Sequence, residues 1–155
     1  MIQRIQSIYL LLAVISMGVL FIPDWSFASV EGDTSTMKSA AQSMMSDGLF
    51  NSYDHNLILI LVAIAVITAL AAIFLYGNRK KQMTWSRIGM AAGFLLVILT
   101  AIFFYQDYQM MDSGQYLIEI EYGVLSPFLF IVFMWLALRS ISKDEKLVRS
   151  MDRLR

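Results

Sequence analysis

The side chains best suited to chemistry stand in two short stretches that precede apolar runs. Asp54 and His55 lie just before one run, while Asp107, Asp112 and Glu121 lie before another. An imidazole with several carboxylates can bind a divalent cation, and the same groups can form an acid–base pair. Because their spacing fits no defined geometry, we assign no metal or catalytic site and keep His55, Asp54, Asp112 and Glu121 as weak metal candidates.

The rest of the sequence offers little further chemistry. It contains no Cys, and it lacks a P-loop, an HExxH pair, a nucleophile elbow or a dinucleotide fingerprint. The apolar runs hold no Asp, Glu, Lys, Arg or His, although an ionisable group within a bilayer is the usual mark of function there. This pattern argues against proton-coupled transport and against haem held between the helices. We expect no cofactor.

Four apolar runs organise the chain and must position these groups. They cover residues 5–22, 57–76, 88–105 and 122–138, each of 17 to 20 residues without a charge. The chain is 58% hydrophobic and 15% charged, against roughly 45–50% and 25% in soluble domains. About 20 helical residues cross a hydrocarbon layer about 30 Å thick. The sequence therefore predicts one all-α integral membrane domain, 1–155, with four transmembrane helices in an antiparallel up-down bundle.

The basic residues indicate how the spans are oriented. Of the twelve Lys and Arg residues, one precedes span one, four lie between spans two and three, and six follow span four, leaving only Lys38 elsewhere. Cytoplasmic loops carry such an excess of basic residues. We therefore expect a multi-pass protein of the bacterial inner membrane. Both termini, the inner loop 77–87 and the tail 139–155 should be cytoplasmic, with the outer loops 23–56 and 106–121 on the other side.

A cleaved signal peptide is the alternative reading of the first span. Ser26, Phe27 and Ala28 resemble a small-x-small cleavage site. The apolar run is longer than the usual length of about 7–15 residues, and Pro23 and Asp24 crowd the site. We expect an uncleaved membrane anchor.

The outer loops contain signals for a small β-sheet. Residues 47–50 combine an Asp-Gly turn signal with two apolar residues, and apolar and acidic residues alternate over 118–121. We expect segments 47–50 and 116–121 to pair in an extracytoplasmic β cap. The alternative is that Glu119 and Glu121 belong to an early turn of helix four.

Two further features concern the loops. The middle of the first outer loop, Ser29–Asp47, has a small and polar composition typical of mobile segments. Because proline is tolerated in a first helical turn, helix four should begin near Pro127, or begin earlier and bend there.

Small residues mark faces suited to close helix packing. They recur every three or four positions in spans two and three, at Ala65, Ala69, Ala72, Gly89, Ala92 and Gly93. Small residues let membrane helices approach closely. Because the two faces lie at matching depths, we expect a tight antiparallel pair of spans two and three. Homodimerisation is the competing use of Gly89 and Gly93.

The C-terminal tail combines charge with a helical pattern. Ser142 to Glu145 fits a capping box, and an apolar stripe follows it. We expect a short basic amphipathic helix that lies on the inner leaflet or docks on a cytoplasmic partner; the alternative is a solvated extension that only enforces topology. The residues assigned to this interaction are Lys143, Lys146, Leu147, Arg149, Met151, Arg153 and Leu154.

Both ends of the chain resemble a known family. The opening MIQRIQSIYLLL at residues 1–12 and the closing KDEKLVRSMDRLR at residues 143–155 resemble a family of small four-span inner-membrane proteins of Bacteroidota defined by a domain of unknown function. The resemblance covers the whole chain. It implies an inner-membrane location and four helices, and it carries over no catalytic residues.

These observations favour a non-enzymatic membrane protein. We expect an accessory or scaffold subunit of an inner-membrane assembly, acting through helix packing and its basic tail. Its partners would be the lipid bilayer and a protein in the membrane or at its cytoplasmic face, with a homo-oligomer left open and no nucleic acid. One alternative is a small oligomeric carrier or lipid-handling protein. Another is a membrane enzyme with an extracytoplasmic Asp/His/Glu site.

Overall fold

The computed structural model describes residues 2–31, 47–110 and 117–152 and shows four α-helices with a small sheet. The helices are α1 (Ile2–Gly18), α2 (Asn56–Phe74), α3 (Arg79–Met110) and α4 (Leu125–Asp152). The strands are β1 (Ala28–Glu31), β2 (Leu49–Phe50) and β3 (Leu117–Ile120). Short 3₁₀ turns, Val19–Phe21 and Tyr122–Val124, follow α1 and precede α4. The sequence-based prediction of a four-helix chain with a small β cap is confirmed at this level.

The helices form a closed ring of neighbours. α1 packs against α2 and α4, and α3 packs against the same two helices. Side chains from all four helices meet on the ring's axis, including Leu10, Val62, Leu96 and Met134, which have no exposed surface. The sheet lies at one end, which we call the cap end. The start of α1, the end of α4 and the α2–α3 connection lie at the other, which we call the basic end.

Large apolar side chains also cover the outside of the ring. Ile67, Phe74 and Leu57 are more than half exposed on α2 alone. By length and composition three segments suffice to cross a membrane, namely Asn56–Phe74, Arg79–Gln109 and Tyr122–Val148, and Ile5–Phe21 forms a shorter apolar helix. An amphipathic helix in a soluble bundle would instead present polar residues outward.

The sheet differs from the predicted pairing. Its strand order is β2-β1-β3, with both neighbours antiparallel, so β1 separates the two segments that were expected to pair directly. The prediction of a mobile middle loop is wrong for its first residues, because Val30 is buried within β1. The remainder of that prediction, 32–46, lies outside the described residues. Glu119 is part of β3 and Glu121 directly follows it, which rules out their placement in helix four.

Helix four begins early and continues far beyond its apolar run. α4 starts at Leu125, so Pro127 occupies the first turn, where its missing N–H needs no partner. The prediction of a separate tail helix capped at Ser142 is wrong, because α4 passes through Ser142 to Asp152. Residues 128–152 contain neither Gly nor Pro, so nothing in the chain interrupts the helix.

The connection at the basic end is shorter than predicted. α2 ends at Phe74 and α3 begins at Arg79, so most of the segment 77–87 is helical rather than loop. Asn78 starts the new helix by accepting a hydrogen bond from the Lys81 backbone N–H on its side-chain oxygen at 3.2 Å.

Candidate functional site at the cap end

The structure joins two of the residues that the sequence marked as chemically capable. His55 directly precedes α2 and Asp107 lies in the last turn of α3, 52 positions later. The His55 Nε2 and Asp107 Oδ2 atoms are 2.9 Å apart, and the two side chains are only 15% and 6% exposed. The imidazole stacks on the Phe103 ring with centroids 4.1 Å apart and faces the Phe50 ring edge-on. This acid–base pair is therefore enclosed by aromatic rings.

Asp54 has a different environment from its neighbour. Its Oδ2 accepts a hydrogen bond from the Asn51 backbone N–H at 2.6 Å, and Asn51 Oδ1 accepts one from the Tyr53 N–H at 2.8 Å. Burial raises the pKa of the Asp54 carboxyl from 3.8 to about 6, although the hydrogen bond from Asn51 acts in the opposite direction. These bonds identify Asp54 as part of the turn that leads into α2.

The same turn is fastened to the 3₁₀ turn Val19–Phe21 that follows α1. The Ser52 hydroxyl donates to the Leu20 carbonyl at 2.5 Å, and the Tyr53 hydroxyl donates to the Phe21 carbonyl at 2.7 Å. The carbonyls at a helix end lack partners within the helix, so these hydroxyls supply them. The α1 terminus and the α2 start are thereby held together beneath the sheet.

The remaining metal candidates do not join this pair. Glu121 Oε1 accepts a hydrogen bond from Ser29 Oγ at 2.9 Å. Asp112 lies outside the described residues. Among the residues that the structure describes, no three His, Asp or Glu side chains converge in a way that could hold a metal ion. The arrangement pairs His55 with Asp107 at hydrogen-bond distance, but within the described part of the chain it offers no ligand set for a metal ion.

An apolar crevice lies between α3 and α4 directly under the sheet, and we call it the cap crevice. Its volume is about 250 Å³. α3 contributes Val97, Thr100, Ala101 and Phe104, while α4 and its preceding turn contribute Val124, Pro127 and Phe128; Phe27, Ala28, Phe50 and Ile120 line it from the sheet side. Thr100 Oγ1 is buried and has no hydrogen-bond partner within the described part of the chain.

Sequence reasoning assigned none of these residues to a site. The signal was present in α3, where Val97, Thr100, Ala101 and Phe104 follow the i, i+3, i+4, i+7 spacing of one helix face. That face carries a hydroxyl and a small residue among apolar neighbours. The sheet that covers this face was not predicted in full, because the sequence pattern did not indicate strand β1.

The sheet is fixed to the start of α4 by very close backbone packing. The Gly123 N–H donates to the Ser26 carbonyl at 3.0 Å, and the Glu121 N–H donates to the Phe27 carbonyl at 3.0 Å. A Cβ atom on Gly123 would lie 2.2 Å from the Ser26 oxygen. The Trp25 indole also donates to Ser126 Oγ at 3.1 Å. These contacts hold the roof of the cap crevice in place.

The small residues chosen for helix packing occupy interior positions. Ala65, Ala69 and Ala72 have no exposed surface, and Ala92 is 8% exposed. A Cβ atom on Gly89 would lie 2.7 Å from Thr68 Oγ1 of α2 and 2.7 Å from Met134 Cε of α4.

Gly93 packs against α4, whereas the sequence predicted α2 as its neighbour. Its nearest contacts are the Phe130 ring, 3.0 Å from an added Cβ, and Ile131 of α4. The structure therefore places both α3 glycines at contacts within the chain, with Gly93 against α4 rather than α2.

At the basic end, α4 is held by a buried carboxylate. Asp144 is 6% exposed, its Oδ2 accepts a hydrogen bond from Gln6 of α1, and its backbone carbonyl accepts one from Arg79 Nη1 at 3.2 Å. Of the residues assigned to a tail interaction, Lys143, Lys146 and Leu147 are exposed on the helix surface.

The other assigned tail residues are described less fully. Arg149 and Met151 are described as helix backbone only, whereas Arg153 and Leu154 lie outside the described residues.

Comparison with known proteins agrees with the resemblance seen at the ends of the chain. No curated protein and no solved structure matches it. One family model, described as a domain of unknown function (DUF4293), matches residues 2–154. Because this model covers nearly the whole chain, the protein belongs to the DUF4293 family.

Proposed function

We propose that this protein is a four-span, non-enzymatic accessory subunit of the bacterial inner membrane. The helix lengths and the apolar outer surface support insertion in a bilayer. Contacts of Asp144 with Gln6 and Arg79 bring the tail, the N-terminal helix and the basic α3 start to one end of the bundle. By the positive-inside rule that end is cytoplasmic, and the sheet lies on the other side of the membrane.

The continuous course of α4 is the observation that carries the accessory role. Its 28 residues correspond to about 42 Å at about 1.5 Å per residue, longer than the hydrocarbon layer of about 30 Å. From Asp144 to Asp152 the helix extends about 12 Å past the contact with Gln6. The exposed Lys143, Lys146 and Leu147 therefore stand on a rigid helix rather than on a loose tail.

This geometry favours a protein partner over the inner leaflet. A helix that lies on a membrane surface must turn away from the direction of the span, which requires a break in the backbone. α4 has no break in its described course. The tail thus projects along the bundle axis into the cytoplasm, where a basic surface with an exposed leucine suits an acidic partner.

Affinity purification from membranes in mild detergent tests the proposal. We expect a partner at constant stoichiometry with the wild type, and loss of that partner with the double variant Lys143→Gln/Lys146→Gln. The matched control is Lys80→Gln/Lys81→Gln, which removes the same charge from exposed positions at the same end of the bundle. Equal recovery from both variants, or no stoichiometric partner with the wild type, would contradict the proposal.

A topology reporter tests the membrane part separately. A reporter fused after Arg155 should be active only in the cytoplasm. Activity on the far side of the membrane, or recovery of the protein in the soluble fraction, would overturn the orientation or the membrane location.

A further inference from the structure

The cap crevice lies where a bilayer would surround the protein. Its α3 lining extends from Val97 to Phe104, about 10 Å along the helix axis, or roughly a third of the hydrocarbon thickness. It is open on one side, where Phe128 is 50% and Ile120 is 81% exposed. Given the proposed membrane location, on which this inference rests, that opening faces the acyl chains of the outer leaflet.

The size and chemistry of the crevice suit a hydrocarbon chain. An apolar cavity of about 150 Å³ stays dry and admits benzene, and the cap crevice has about 250 Å³. Water entering it would find few partners, because the accessible lining is apolar and the Thr100 hydroxyl oxygen is itself buried.

Charges at the cap end restrict which lipid headgroup can accompany a chain bound in the crevice. The described residues there include the carboxylates of Glu119 and Glu121, which flank Ile120 on β3, and no Lys or Arg. Neighbouring side chains on a strand point to opposite faces, so these acids lie across the sheet from the crevice. Within a Debye length of about 8 Å they repel anionic groups and attract an ammonium.

We propose that the cap crevice binds one acyl chain of a zwitterionic phospholipid whose headgroup carries an ammonium, such as a phosphatidylethanolamine. A free fatty acid and an anionic phospholipid offer the same hydrocarbon, but their charge has the wrong sign for this end of the molecule. The roof over the chain is the sheet, held down by Gly123 against Ser26.

Native mass spectrometry of the detergent-purified full chain, titrated with dioleoyl phosphatidylethanolamine, tests the inference. We expect one tightly bound lipid per chain and at least tenfold weaker binding of dioleoyl phosphatidylglycerol at low salt. Ala101→Phe fills the crevice and should weaken phosphatidylethanolamine binding at least tenfold. Ala91→Phe makes the same change at an exposed position of α3 outside the crevice and should leave binding unchanged. Equal binding by both variants overturns the site, and equal binding of both lipids overturns the headgroup assignment.

A second measurement identifies the occupant without relying on a crevice-filling variant. Benzoylphenylalanine placed at Phe128, at the mouth of the crevice, should form an adduct with the mass of a phospholipid when irradiated in vesicles. A cross-link within one chain would mean that another segment of the protein fills the crevice. A cross-link between two chains would mean that a second copy does, and either result overturns the inference.

This inference and the proposed accessory role can fail separately. The cap crevice and the tail lie at opposite ends of the bundle. If Ala101→Phe loses lipid binding but keeps the cytoplasmic partner, the result concerns the crevice alone. If the tail variant Lys143→Gln/Lys146→Gln loses the partner but keeps lipid binding, the result concerns the accessory role alone.

Discussion

Replacing Gly123 by Ala should strongly destabilise the protein, because the cap rests directly on this residue. An added Cβ atom would lie 2.2 Å from the Ser26 carbonyl oxygen, 2.7 Å from its carbon and 3.1 Å from the Trp25 oxygen. All three are backbone atoms, so no side-chain rotation relieves the overlap. The strand connection must move by about 0.8 Å merely to reach a 3.0 Å contact.

The expected cost follows from two contributions. Overpacking of this kind costs about 1–3 kcal/mol, and losing the Gly123 N–H to Ser26 hydrogen bond costs about 1 kcal/mol more. The free energy of unfolding should therefore fall by roughly 2–4 kcal/mol. For a chain of this length each kcal/mol lowers Tm by about 2–4 °C, which gives a fall of roughly 4–16 °C.

Thermal unfolding of the detergent-purified protein measures this effect, with Gly18→Ala as the matched control. Gly18 has helical backbone angles, φ −64° and ψ −26°, and no atom within 4 Å of an added Cβ. Alanine is favoured over glycine in helices by up to about 1 kcal/mol, so this control should keep or raise Tm. If Gly123→Ala melts within about 1 °C of the wild type, the cap does not sit on α4 as closely as described and the reasoning is refuted.

Two further predictions concern the turn before α2. Because the folded-state pKa of Asp54 is raised to about 6, its contribution to stability is greatest in acid and is lost as pH rises from about 4 to 6. Asp54→Asn should flatten the wild-type decline in Tm over that range, and parallel pH profiles for the two proteins would contradict the assignment. Asp107→Ala should lower the free energy of unfolding by roughly 1.5–3 kcal/mol, because it removes a charge-assisted hydrogen bond to His55. In a double-mutant cycle with His55→Ala, the combined loss should fall well short of the sum, whereas additive losses would show that the two groups do not interact.

The helices were predictable because their signals are local and long. Runs such as 57–76 contain enough apolar residues to specify a helix without knowledge of their neighbours. Pro127 likewise marked the start of α4 by a local rule. The end of α4 was misjudged because the residues after Ser142 satisfy a capping pattern that the preceding helix overrides. Burial of Asp144 against Gln6 depends on a partner 138 positions away, which no local pattern reveals.

The sheet and the candidate site were harder to predict from the sequence, because both depend on contacts between residues far apart in the chain. β1 is only four residues long and mixes Ala, Ser, Val and Glu, so its composition resembles that of a loop. Its partner β3 lies about ninety positions away. His55 and Asp107 were both recognised as chemically capable, but their pairing requires the lengths and tilts of two helices. The cap crevice depends on β1 and therefore could not be anticipated without it.

The unbroken α4 also connects the two ends of the bundle as one rigid element. Pro127 and Phe128 line the crevice near one end of this helix, and the basic tail occupies the other. If α4 pivots at Asp144, a tilt of about 5° moves Pro127, about 26 Å away, by about 2 Å and Asp152, about 12 Å away, by about 1 Å in the opposite direction. Asp144 is the point at which α4 is held by hydrogen bonds from Gln6 of α1 and Arg79 of α3. A shift of this helix at the cap end would therefore also move its described residues at the basic end, although no ionisable group lies in the apolar runs between them.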